Sequence, residues 1–170
     1  MTETRGVLDE PVGAWRAIVL YGQNTAIYKI ALGQCLAGFA AEGRDRISLP
    51  ELAAAFFDRY AERLRSGQPQ LLTPGRLTVM ERVVALYRQA TLSRDQAVER
   101  VGQEAFGDVV PRFHTVADRS VPVRFYERSP DGGLVLTDAA YSGFTCPNTT
   151  LTGGPLAVGT SQLKTTGCRL

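Results

Sequence analysis

Apolar residues recur at intervals of three and four over the first hundred residues of this chain, and after Pro111 the interval changes to alternation. Gly, Pro and Ser punctuate the helical stretch where helices must start and stop. A chain written in this order folds as a helical body closed by a β-hairpin. Its 170 residues, 44% of them hydrophobic, suffice for one core of useful size. The expected class is mainly α (α+β), with five to six helices followed by a C-terminal hairpin.

The helices are legible one by one. A first spans residues 12–21, turns Trp15, Ile18 and Val19 inward and stops at Gly22. Asn24 is placed to cap a second, which runs to Ala41, buries Ile27, Ile30, Ala31, Cys35 and Phe39, and ends at Gly43. Gly33 and Gly38 inside it each cost about 1 kcal/mol relative to Ala, which predicts that another backbone packs closely there. Ser48, Leu49, Pro50 and Glu51 make a capping-box pattern for a third helix, whose inner side is Leu52, Phe56, Tyr60 and Leu64. Residues 66–75 read as a loop. A fourth helix follows over 78–90 with Met80, Val83, Val84 and Tyr87 inward, and Ser93 with Gln96 opens a fifth that holds Ala97, Val98, Val101 and Phe106. The hairpin comprises strands at 121–127 and 134–137 around the turn Ser129-Pro130-Asp131-Gly132-Gly133. Thr137 or Asp138 then caps a short helix that holds Ala139, Ala140 and Tyr141.

Composition excludes several classes. The longest apolar stretch, 26–41, is broken by Lys29 and Gln34 and falls short of the roughly 20 residues of a bilayer span, so no membrane partner is expected. Residues 1–10 carry Glu3, Asp9 and Glu10 without an apolar centre, unlike a secretory signal; the expected location is cytoplasmic. Cys35, Cys146 and Cys168 match neither a disulfide framework nor paired zinc knuckles and read as free thiols. Residues 1–141 balance 17 basic against 17 acidic side chains, whereas 142–170 hold only Lys164 and Arg169, no acid, seven Thr and five Gly. The expected division is therefore a domain over 1–141 and a low-charge, poorly ordered tail over 142–170.

Candidate chemistry is sparse. Metal or triad chemistry needs converging His, Cys and carboxylate groups, and the chain has a single His. His114 alone reads as architecture, and neither a catalytic residue nor a cofactor is expected. The stretch from Gly22 to Lys29 lacks the second Gly of a phosphate loop, and Ile30 stands where Ser or Thr would meet magnesium. Lys29, one of two lysines beside 17 arginines, lies mid-helix among apolar neighbours. It either reaches a phosphate or snorkels from the core edge. Arg59, Arg63 and Arg65, and Arg112, Arg119, Arg124 and Arg128, form stripes interleaved with acids, the pattern of a solvated face.

Four segments carry a family resemblance: Asn24-Thr25-Ala26-Ile27-Tyr28-Lys29-Ile30-Ala31-Leu32, Val110-Pro111-Arg112-Phe113-His114, Val121-Pro122-Val123-Arg124-Phe125-Tyr126, and Gly132-Gly133-Leu134 leading to Leu136-Thr137-Asp138. In this order they resemble the N-terminal region of a bacterial family of restriction-like proteins with an HNH-endonuclease domain, with Ile27 and Ile30 replacing the usual Thr and Phe. The resemblance implies a part that recognises or positions DNA, upstream of a metal-dependent nuclease module whose His and Asn groups have no counterpart here. Asn24, Lys29, Arg112, His114 and Arg124 are the contact candidates it implies, on donor chemistry suited to phosphate. Where the family continues as a charged helical region, this chain turns to Thr, Gly and Pro, as out-of-frame residues or as a genuine flexible terminus. Two functions follow as expectations: duplex DNA contact without cleavage, or a module that binds a protein partner or a second copy of itself.

Overall fold

The computed structural model describes residues 3–21, 28–66 and 77–144. The architecture is mainly helical with a small antiparallel sheet. Helices α1 (Glu3–Asp9) and α2 (Pro11–Tyr21) lead into α3 (Tyr28–Ala41), strand β1 (Arg46–Ile47) and the long α4 (Leu49–Arg65). Then come α5 (Val79–Arg88), α6 (Arg94–Arg100), a π-helical turn (Val101–Ala105) and α7 (Phe106–Arg112). The chain closes through β2 (Thr115–Val116), β3 (Arg119–Ser120), β4 (Tyr126–Arg128), β5 (Leu134–Leu136) and α8 (Asp138–Phe144).

Three helices start at reciprocal capping boxes: Ser48 with Glu51, Thr78 with Glu81, and Ser93 with Gln96. In each, the hydroxyl accepts an amide hydrogen bond of the first turn while the third residue reaches back to the cap amide. The π-helical turn inserts one residue between α6 and α7, so Ala97, Val101, Ala105, Phe106, Val109 and Val110 all reach the interior along one continuous rod. Opposite them lie Phe56, Phe57 and Tyr60 of α4 and Leu32, Cys35 and Leu36 of α3.

The hairpin is shorter than the sequence pattern predicts. Its first strand covers only Tyr126–Arg128, because the residues before it serve the core rather than a ladder: Val121 and Phe125 are buried, and Pro122 has no amide to give. β5 is the centre of a three-stranded sheet, with β4 on one side and β1 on the other, the latter through Arg46 opposite Val135 and Ile47 opposite Leu134. β1 fastens the hairpin to the entrance of α4. Helix α8 runs through Ser142, Gly143 and Phe144 and packs on α2 and α3. Residues 145–170, and with them most of the expected tail, lie outside the described residues, as do Asn24 and all but Ser66 of the loop expected over 66–75.

Gly33 and Gly38 owe their size to side chains rather than to a neighbouring backbone. A Cβ at Gly33 would collide with the ring of Trp15, and one at Gly38 would stand 3.2 Å from the Arg59 guanidinium. Trp15 in turn touches Phe113, Phe125 and Phe144, with centroid separations of 5.9, 5.5 and 4.4 Å. This aromatic group ties α2 and α3 to the C-terminal sheet region.

Candidate functional site

Lys29 is the second residue of α3, and its amine donates a hydrogen bond of 2.6 Å to the Thr115 carbonyl at the start of β2. Only 7% of the residue is exposed, and burial holds its pKa below the ordinary lysine value. Among the described residues no carboxylate forms an ion pair with it. One of its three N–H groups meets Thr115, so the stem is buried while the amine keeps donor capacity. Arg112 ends α7 and is exposed, 3.8 Å from Asp108 one turn earlier.

Lys29 and Arg112 line a common open cavity of about 440 Å³ with Thr115, Ala117 and Asp118. The last two are the turn between β2 and β3, and both have positive φ, 47° and 62°. A two-residue turn of this hand matches the twist of its strands but is ordinarily built from Asn and Gly. Holding Ala117 left-handed costs roughly 1–2 kcal/mol, and the strain lies at the rim of the cavity. Thr115, Ala117 and Asp118 are not among the sequence candidates. Two-residue strands are too short for alternation to show, and Ala-Asp is no turn signal.

His114 is buried and is not in the lining of this cavity. Its Nε2 accepts the Phe125 amide at 2.9 Å, so the neutral ring carries its proton on Nδ1. The ring stacks on Phe125 and meets Tyr126 with centroids 4.6 Å apart. Burial, aided by the charges of Arg124 and Lys29, pushes its pKa from 6.5 down to about 4, which keeps it uncharged at neutral pH. Arg124 is exposed and donates to Ser120 Oγ at 3.1 Å. Of the sequence candidates, then, Lys29 and Arg112 share a cavity, while His114 and Arg124 are not in its lining.

Elsewhere the reactive side chains are committed or concealed. Burial pushes the Cys35 thiol up to about 11, so it is no thiolate at neutral pH. Glu51 is held down to about 2 by hydrogen bonds from Ser48 and by Arg44, as part of the α4 cap. No group of three or more metal-ligating side chains occurs among the described residues, and no helix among them is long and apolar enough to cross a membrane. What the Lys29–Arg112 cavity offers chemically is two cations and their N–H donors beside the single carboxylate of Asp118, a net positive lining suited to an anion. Comparison of the chain with protein-family models, with curated proteins and with solved structures returns no match.

Proposed function

We propose that this domain contacts duplex DNA through the phosphate backbone, as the positioning part of an HNH-type endonuclease, with Lys29 and Arg112 as the contacts. The observation that carries the reading is the convergence of these two cations, 83 positions apart in the chain, on one open cavity. A phosphate in the cavity would complete the hydrogen bonding of Lys29 and meet the guanidinium of Arg112, contacts that fix register without reading bases. The resemblance of four ordered segments to such proteins supports the same reading. His114, already occupied as an acceptor for Phe125, is assigned to architecture and not to strand scission.

Fluorescence anisotropy with a labelled duplex over a salt series tests this. The expected result is salt-sensitive binding without cleavage in magnesium or manganese, with Arg112→Gln lowering the slope of log K against log salt by about one. Unchanged slopes for both Arg112→Gln and Lys29→Met, or cleavage that copurifies with the chain, would overturn it. A second reading, a module for a protein partner or a second copy, is favoured by Leu20 and Tyr21 at the end of α2, which are 66% and 72% exposed. Association that ignores salt and is lost in Leu20→Ser would select that reading instead.

A further inference from the structure

Not every arginine of α4 is charge-balanced, although Arg59 is exposed and Arg63 half-buried. Arg65 pairs with Glu62, and nearby Arg94 and Arg44 pair with Asp58 and Glu51. Among the described residues Arg59 and Arg63, one turn apart, form no ion pair. Both line a cavity of about 60 Å³ between α3 and α4, with Tyr60 between them and Ile30, Ala31 and Gln34 opposite. No carboxylate is in that lining. Arg59 lies over Gly38, where any Cβ would crowd its guanidinium, and against the Cys35 thiol.

Among the described residues, two polar atoms carried by the lining residues are buried without a hydrogen-bond partner, the Tyr60 hydroxyl and Arg63 Nε. Tyr60 is only 1% exposed, and burial raises its pKa so that the phenol keeps its proton. Arg Nε–H is a donor only, and the protonated phenol donates as well. Buried unpaired donors are rare in folded proteins and call for an explanation. Here they coincide with two guanidinium groups that lack counter-charge. The complement of this set is a compact acceptor with negative charge. The cavity, at about 60 Å³, admits one small tetrahedral ion.

We propose that the α3–α4 cavity binds one free small oxyanion of the phosphate class, held by Arg63, Arg59 and the Tyr60 hydroxyl. This site is separate from the Lys29–Arg112 cavity and stands whether or not that cavity meets DNA. An anion bound only by the folded chain stabilises it by mass action, so occupancy is read from melting temperature. The test is a thermal-melting titration of the full chain with inorganic phosphate against sodium chloride at matched ionic strength. Phosphate is expected to raise Tm saturably. Measured in an Arg112→Gln background, where the other cation cavity is disabled, a further Arg63→Gln is expected to abolish the rise and a further Tyr60→Phe to weaken phosphate binding about tenfold. In that background, no rise beyond that in chloride, or a rise that survives in both further variants, would overturn the proposal.

Discussion

Polar groups are buried in two regions of this protein, and the two are treated differently. Around His114 the chain supplies partners itself: Nε2 receives the Phe125 amide, the Tyr126 hydroxyl donates to the Val110 carbonyl at 2.6 Å, and Lys29 donates to Thr115. At the α3–α4 seam the Tyr60 hydroxyl and Arg63 Nε have none among the described residues. The first region is a network in which each bond fixes one element on another: β4 on α7, β2 on α3, and the segment before β4 on His114. The second has donors in place and no acceptor. A satisfied network rigidifies a fold, while unpaired buried donors destabilise it until something meets them. Substitutions that remove a partner should therefore cost stability in the first region and little or none in the second.

The largest effect is expected at His114. His114→Ala strands the Phe125 amide and opens a void among Phe113, Phe125 and Tyr126, at a cost of roughly 3–5 kcal/mol that urea unfolding would measure. A loss below about 1 kcal/mol would mean the network is not the anchor described. The same residue makes stability depend on pH. The folded value of about 4 lies below the ordinary 6.5, so as pH falls through 6.5 the unfolded chain takes up a proton that the folded chain refuses. Stability is full above pH 6.5 and declines by about 3 kcal/mol as the pH approaches 4. Glu51, held down to about 2 from 4.5, begins to lose its contribution as pH falls through 4.5, at the lower end of that window. His114→Gln should flatten the slope between about pH 6.5 and 5, and a slope that persists there would assign it elsewhere.

Sequence reading reached one of these regions better than the other. Ser48 with Glu51 and Ser93 with Gln96 mark helix starts because capping is local chemistry. Thr78 with Glu81 is a third such box, at the start of the helix expected over 78–90 but not read from the sequence as a cap. The short strands β1, β2 and β3 escape, since two residues carry no period and their pairing comes from tertiary contact. The π-helical turn escapes for a related reason: Val101 and Phe106 fit a single helix until the inserted residue is seen. Lys29 and Arg112 are visible as candidates singly, but their convergence on β2 is not, because it depends on a backbone carbonyl 86 positions from Lys29. Arg59 and Arg63 read as surface residues because acids interleave with them, and only the ion pairs show which arginines those acids serve.

The comparison is sharpest when one substitution is made in both regions. Tyr126→Phe removes the hydroxyl that meets Val110, whose carbonyl belongs to the last turn of α7 and has few other partners. The expected cost is about 1–2 kcal/mol by urea unfolding, with β4 loosened from α7. Tyr60→Phe removes a hydroxyl that meets no partner among the described residues, while Phe keeps the ring contacts to Tyr28 and Phe56. In phosphate-free buffer this variant should be unchanged or more stable by up to about 1 kcal/mol, because a desolvated hydroxyl without a partner is a net cost. The sign carries the information. A loss equal to that of Tyr126→Phe would mean that the Tyr60 hydroxyl is satisfied without an added ion, and the contrast between the two regions would fail. A gain in phosphate-free buffer that becomes a relative loss as phosphate is added would show one hydroxyl in both conditions, unpaired when the cavity is empty and serving as a donor when it is filled.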